Sequence, residues 1–523
     1  MDPLIAPSIA DLATTRDTGM IEYDVIWQIF PPGEIVVGDV EGVDALFRVV
    51  GCHESETRSA WELMLKYVDW DGERCGLREM RNPYIFYYTG LRRVSSLTIH
   101  PLSFADDPEK IKEAARARGR RFQQLRGFKF LHYNGVKVGL DGETNKVMAG
   151  RVIIDAHAFF KSNDSVKPKM KPVAPAVREC VTPENEERYD DGDGAADAGA
   201  EEAVEGNEHN AENDDDKEAT NANRTTPHRP FEDLSELSDE DCLLTAPLLY
   251  GFDIKAKEWG RYLINNLSEI EWNDKAFDNL VLPGGEKELA WEFVESKAAA
   301  SNDTFDDFVP DKGRELIILM FGPPGVGKTY TAEAVAEKAR VPLYVTSAAL
   351  LGSTPGVVEP ALDHALKLCR MWNAILLIDE AEVFLGARLD DSLKRNELVT
   401  LFLTKLEYYQ GILFLTTNRF SRIDPAFRSR VDLFLPYNHL APAARRQVWI
   451  NFLDHFGRAR LDVGDEDLDR LSELPLNGRE IKNLMKSALL LDSRTGGKVA
   501  AARLYMLADK RVKAHKMLEE QES

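Results

Sequence analysis

The amino-acid sequence predicts an α/β protein. A doubly wound, parallel, five-stranded sheet is followed by an α-helical domain and preceded by a mostly β domain and an acidic linker. Three observations carry this. Five apolar runs, LIILMFG (316–322), PLYVTS (342–347), AILLIDE (374–380), GILFLTTN (411–418) and VDLFLPY (431–437), alternate with helix-patterned segments. Continuous apolar strands separated by helices indicate a parallel sheet covered on both faces. From Ala441 onward only helical patterns remain, as in APAARRQVWINFLDHF and GREIKNLMKSALLL. Between Glu22 and Phe160, runs rich in aromatic and β-branched residues recur between turn signals: DVIWQIF, PPG, EIVVG, LFRVVG, WELMLKYVDW, DG. That is the pattern of a β-rich domain.

Read in order, residues 1–21 are a loose tail and 22–165 the β-rich domain, interrupted by one basic helical stretch from Pro108 to Arg126. Residues 166–242 turn to Asp, Glu, Gly, Ala and Asn with few apolar side chains. Such a tract buries too little surface to offset the entropy of ordering, so it reads as a disordered linker. Residues 243–315 are an aromatic-rich lead-in, 316–440 the sheet core, and 441–523 the helical domain and C-terminal tail.

The 523 residues carry a net charge of −23, which argues against a general affinity for nucleic acid or anionic lipid. The stretch 184–218 holds 16 acidic and 2 basic residues, a net of −14, so the remainder is only mildly acidic. Five cysteines, Cys52, Cys75, Cys180, Cys242 and Cys369, include no CxxC pair and read as reduced thiols. The N-terminus lacks the basic start and apolar run of a signal peptide, and no stretch approaches the ~20 apolar residues that span a bilayer. The expectation is an intracellular protein, cytoplasmic or nuclear, with no membrane partner.

The chemistry concentrates in the sheet. GPPGVGKT, from Gly322 through Pro323, Pro324, Gly325, Val326, Gly327 and Lys328 to Thr329, fits GxxxxGK[ST] between an apolar strand and a helix. Its glycines let backbone N–H groups turn toward phosphate oxygens, and the helix N-terminus adds its positive dipole end. Lys328 can then reach the β- and γ-phosphates of ATP, and Thr329 can ligate Mg²⁺. In AILLIDE, a buried strand delivers Asp379 to the metal and Glu380 to the attacking water as general base. GILFLTTN places Asn418 at the C-terminal edge of the sheet, where ligands of open α/β sheets bind. In IDPAFRSRVDLFLPY, Arg428 and Arg430 precede a strand; in a ring, such a guanidinium can reach a neighbour's γ-phosphate.

Together GPPGVGKTYTAEAVAE, ILLIDEAEVFLGAR, LFLTTN, IDPAFRSR and NGREIKNLMKSALLL occur in the order of AAA-family P-loop ATPases, which the chain resembles over about 243–520. With the β-rich segment 22–165, it more closely resembles a fungal group of AAA ATPases with an N-terminal β-rich companion domain. The resemblance implies an AAA core with a helical lid and ATP hydrolysis with Mg²⁺. It also implies a homo-oligomeric ring, hexameric in the family, and a protein client or adaptor held by the N-terminal domain. It assigns Asn418 to sensor 1, Arg428 and Arg430 to trans-acting fingers, Arg479 to sensor 2, and Leu280 with Val281 to the adenine. One departure stands out. Threading members carry an aromatic–hydrophobic–Gly trio after the second strand, and here that trio is Thr354, Pro355 and Gly356.

Two other readings share the core. A nucleotide-dependent DNA or RNA factor would draw on the basic stretch KIKEAARARGRRFQQLRGFKF, whose alternative is a solvated face or a dock for the acidic linker. An ATP-switched scaffold is opposed by the intact Glu380.

Overall fold

The computed structural model describes residues 6–55, 59–141, 145–173, 229, 232–282, 285–299, 315–386, 393–420, 423–492 and 498–522. Most of the acidic tract lies outside them, as does Cys180; Cys52, Cys75, Cys242 and Cys369 are free thiols. Among the described residues, no helix is long and apolar enough to cross a membrane.

Five strands, β1 (Ile35–Val40), β2 (Val43–Glu54), β3 (Ala60–Trp70), β4 (Cys75–Phe86) and β5 (Ile99–Pro101), form an antiparallel sheet in the order β4–β3–β2–β1–β5. Alternate residues such as Val36, Phe47, Val49, Trp61, Leu63 and Leu65 turn to one buried layer, as the period-two pattern requires. Ala6–Thr18 is helical and Met20–Ile21 pairs with Arg92–Arg93, so the described part of the expected tail is folded. The reason is apolar burial: Ile21 is 1% exposed, and Leu12 packs on the same layer.

A second sheet corrects the domain boundaries read from the sequence. β6 (Lys129–Val138) and β7 (Asn145–Ile154) pair with each other, and β8 (Leu248–Asp253) pairs with β7. β9 (Glu258–Leu263) pairs with β8 and returns to β6, Arg261 opposite Val138, which closes the four strands. β10 (Leu267–Ser268) continues on the edge of β6 that β9 uses, Leu267 opposite Tyr133. The segment expected as a lead-in thus completes a barrel begun before the acidic tract. Closure satisfies edge groups that an isolated hairpin would leave open.

The acidic tract is also anchored at both ends. Lys171–Pro172 pairs with β4, and residues 232–243 lie on the basic helix α1 (Pro108–Gln124). Arg126 donates to the carbonyls of Leu234 (3.0 Å) and Ser235 (2.8 Å), Gln123 accepts from the Leu237 amide (3.0 Å), and Arg120 faces Asp239 (3.4 Å). Gly119 meets the Cys242 main chain directly, with no room for a side chain between them.

The third sheet is the expected parallel one. β11 (Leu316–Phe321), β12 (Leu343–Ser347), β13 (Ile375–Asp379), β14 (Ile412–Thr417) and β15 (Leu433–Pro436) run in the order β12–β13–β14–β11–β15. Ile318 and Met320 face one layer with α2 (Glu286–Ala299) and α3 (Lys328–Ala339). Ile317 and Leu319 face the other, with α4 (Pro355–Trp372) and α5 (Leu393–Leu406). That second layer also takes in Phe128, Ile153, Ala158 and Phe252, so the barrel and the parallel sheet share one core. The contact centres on Asp155, which is fully buried. It accepts two hydrogen bonds from Arg229 (2.8 and 2.7 Å), one from Trp372 Nε1 (2.8 Å) and one from the Ala158 amide (2.9 Å).

Four helices follow: α6 (Pro442–Phe456), α7 (Asp465–Glu473), α8 (Gly478–Asp492) and α9 (Ala501–Glu522). They pack around Trp449, Leu468, Leu471, Ile481, Met485 and Leu504.

Candidate nucleotide site

The site lies at the C-terminal edge of the parallel sheet, where β11, β13 and β14 end together. After β11 the chain turns through Gly322, Gly325 and Gly327 at φ +145°, +78° and +108°. These are angles that side chains oppose and that only glycine adopts at no cost. A Cβ on Gly325 would sit 2.6 Å from Asn477 Oδ1, whereas one on Gly327 would meet nothing within 4 Å. The loop is therefore closed on the lid side and open at its mouth.

Lys328, the first residue of α3, is 8% exposed. Its ammonium donates to the Gly322 and Pro323 carbonyls (2.8 and 2.7 Å) and to Asn418 Oδ1 (2.8 Å). Burial pushes its pKa down, while the carboxylates of Asp379 and Glu382 work against that shift. Thr329 Oγ1 donates to Asp379 Oδ2 at 3.1 Å. A hydroxyl and a carboxylate this close, both hard oxygen donors, suit Mg²⁺. The other Asp379 oxygen accepts from Thr416 Oγ1. Glu380 is exposed at φ +53°, a conformation that costs an L-residue on the order of 1 kcal/mol or more. Its amide donates to Thr416 Oγ1 at 3.0 Å, which fixes the turn that aims its side chain.

The structure thus gathers the residues from Gly322 to Thr329 with Asp379, Glu380 and Asn418. Arg479 enters from the lid: its amide donates to the Gly325 carbonyl at 3.3 Å, and its charge is felt at Lys328. Arg428 and Arg430 stand apart from this cluster. Arg428 is exposed with its guanidinium 5.5 Å over the Phe420 ring, while Arg430 donates to the Ala426 carbonyl (2.8 Å) and faces Glu407 (3.8 Å). Leu280 is buried against Ala334 of α3. The trio Thr354–Gly356 opens α4, flanked by the exposed apolar side chains of Leu350 and Val357. A crevice of about 440 Å³, lined by Glu382, Arg395, Thr417 and Arg419 among others, opens nearby. Lys328, Thr329 and Asp379 do not line it, so it is a neighbouring space and not the phosphate cradle.

Three site residues escaped the sequence reading. Thr416 ties Asp379 to Glu380, Glu382 accepts from the Asn418 amide (2.7 Å), and Asn477 closes the lid against Gly325. Asn477 had a signal: Asn477 and Glu480 exchange hydrogen bonds (2.8 and 2.9 Å), the reciprocal cap that Asn-x-x-Glu announces.

Residues 318–438 match the family described as "ATPase family associated with various cellular activities (AAA)", and residues 11–106 match a domain of unknown function, DUF7025. The chain is 32% identical over 197 residues to "ATPase family AAA domain-containing protein FIGL1" of Arabidopsis thaliana, a match covering 35% of this chain and 27% of that protein. It is 26% identical over 202 residues to an ATP-dependent zinc metalloprotease FtsH of Corynebacterium glutamicum, covering 35% and 23%. It is 29% identical over 198 residues to a putative 26S proteasome regulatory subunit homolog of Methanothermobacter marburgensis, covering 36% and 51%. The chain therefore spans about a quarter of the length of the first two relatives. A crystal structure of the FIGL-1 AAA domain in complex with ADP aligns at 22% identity and TM-score 0.35, over 47% of this chain and 89% of that one. The family match and the sequence relatives, without that alignment, identify the chain as one that carries an ATPase domain of the AAA family over residues 318–438.

Proposed function

We propose that the protein is a Mg²⁺-dependent ATP hydrolase that works as a homo-oligomeric ring to remodel a protein client. One observation carries this: Lys328, Thr329, Asp379 and Asn418 converge at the mouth of a glycine loop whose φ angles exclude side chains. The loop from Gly322 to Gly327 presents its amides to the phosphates. Lys328 exchanges the Gly322 and Pro323 carbonyls for β- and γ-phosphate oxygens. Thr329 and Asp379 would hold Mg²⁺, which supplies positive charge to those oxygens. Glu380, exposed and fixed by Thr416, takes the proton from the attacking water, and Asn418 orients that water. Arg479 reaches the phosphates from the lid. Arg428 and Arg430, which lie outside the cluster of their own chain, serve a neighbour's γ-phosphate in this reading.

The N-terminal half is the client-binding part. Because the barrel shares a core with the parallel sheet, that half is not a domain swinging on a linker. The nucleic-acid alternative loses its main support, since Arg120 and Arg126 hold the segment 232–243.

The test is Mg²⁺-dependent hydrolysis against protein concentration for wild type, Glu380→Gln and Arg430→Ala. Specific activity should rise with concentration. Glu380→Gln should lower turnover by about 10²–10⁴ while ATP still binds, and Arg430→Ala should abolish the concentration-dependent part. Activity flat with concentration and untouched by Arg430→Ala would rule out a shared active site.

A further inference from the structure

The lid meets the glycine loop at Gly325. The Arg479 amide donates to the Gly325 carbonyl at 3.3 Å, and a Cβ on Gly478 would stand 3.3 Å from the same oxygen. A Cβ on Gly325 would meet the Asn477 side chain at Oδ1, Cγ and Nδ2, at 2.6, 2.8 and 3.0 Å. The turn 477–479 is thus in direct contact with the middle of the loop, and at this packing neither moves without the other.

That turn is fixed by Glu480, which is 5% exposed. Its Oε2 accepts from the Asn477 amide (2.8 Å), while its own amide donates to Asn477 Oδ1 (2.9 Å), the atom that faces Gly325. The other carboxylate oxygen is held by the C-terminal helix α9. Oε1 accepts from Arg511 Nε at 3.1 Å and lies 3.2 Å from His515 Nε2, about one helical turn further on. α9 is itself seated in the lid core by Leu504 and Ala508, both fully buried, so Arg511 approaches Glu480 from a fixed base. One buried carboxylate therefore joins the last helix of the chain to the turn that closes on the loop.

Resting on the reading of residues 322–329 as the loop that takes the phosphates, we propose that Glu480 and Arg511 are positioning residues for the phosphate end of the site. α9 sets, through Glu480, where Asn477 and the Arg479 amide hold Gly325. Both residues act through that turn and not on the nucleotide. Because the turn bears on the loop itself, the effect extends to a ligand that consists of phosphate alone.

The experiment uses such a ligand. Inorganic tripolyphosphate and ATP are titrated by calorimetry, without Mg²⁺ so that ATP is bound and not hydrolysed, into the full chain as wild type, Glu480→Gln, Arg511→Ala, Arg511→Lys and Leu504→Val. Gln has one acceptor oxygen where Glu has two, so Glu480→Gln sets an NH₂ group against either the Asn477 amide or the Arg511 guanidinium. The Kd for both probes should rise in parallel by about three- to tenfold, as for residues that act through a contact network, with Arg511→Ala toward the lower end because His515 stays in place. Arg511→Lys should recover most of the loss, since Arg511 donates to Glu480 from one nitrogen and not as a paired fork. Leu504→Val, which thins the lid core without touching Glu480, should lower the melting temperature and leave both Kd values as in wild type. Where Arg511→Ala melts too early to titrate, Glu480→Gln decides. Unchanged tripolyphosphate affinity in Glu480→Gln, or an equal loss in Leu504→Val, would overturn the proposal. If wild type binds neither probe, the reading of the loop fails instead, and the two failures are distinct.

Discussion

Replacing Asp155 by alanine should cost the protein about 4 kcal/mol, and the arithmetic comes from its four hydrogen bonds. The carboxylate is 0% exposed and Arg229's side chain 8%. Removing the acid takes from a buried guanidinium its two-pronged partner and leaves it the longer contact to Glu232 (3.4 Å), a loss toward the lower end of roughly 3–5 kcal/mol. Trp372 Nε1 is also stranded and the cap on Ala158 goes, each worth on the order of 1 kcal/mol alone. All four bonds end on one carboxylate, so these losses overlap and do not sum. The assay is urea unfolding followed by tryptophan fluorescence, with Asp155→Ala, Arg229→Met and the double variant. Arg229→Met removes the cation; Glu232, its other partner, is then buried without it and can take up a proton, so the double variant should recover part of what Asp155→Ala loses. A double variant as unstable as Asp155→Ala would show that the buried charge is not what the acid compensates. A loss below about 1 kcal/mol for Asp155→Ala would refute the role of this contact in joining barrel and sheet.

Two further substitutions test close approaches. Gly325→Ala places a methyl 2.6 Å from Asn477 Oδ1 at φ +78°, so ATP affinity should fall at least about tenfold, with a loss of around 1–3 kcal/mol in stability; equilibrium titration and melting check both. Gly119→Ala drives a methyl into the Cys242 main chain, and the segment 232–243 should lift from α1. Hydrogen exchange at Leu237 and Cys242 should then accelerate by roughly 10–100-fold, following about 1–3 kcal/mol of overpacking, while ATP binding stays as in wild type.

The parallel sheet was legible because its strands are buried on both faces and so read as unbroken apolar runs; all five appear within a residue or two of expectation. The glycine loop was legible because its spacing encodes its geometry. The barrel was not legible as one unit. Its pairing of β7 with β8 joins segments on opposite sides of the acidic tract, and register between distant strands leaves no local periodicity. The helix Ala6–Thr18 was missed because its apolar residues form no clear stripe. In the site, Thr416 and Glu382 were invisible for a simpler reason. A threonine in a strand and a glutamate in a helix are ordinary there, and only their hydrogen bonds to Asp379, Glu380 and Asn418 give them a role.

The closing of the barrel across the acidic tract has a consequence for synthesis. A ribosome releases β6 and β7 well before β8 and β9, at roughly 5–20 residues per second, so the nascent hairpin waits on the order of ten seconds for its partners. Throughout that wait both its edges can pair with a neighbouring chain on the same message. The stretch emerging meanwhile, residues 184–218, carries a net charge of −14. Like charges on adjacent nascent chains repel within a Debye length of about 8 Å. Chains on one message therefore carry like charge next to the half-built barrel during the interval in which its edges are open.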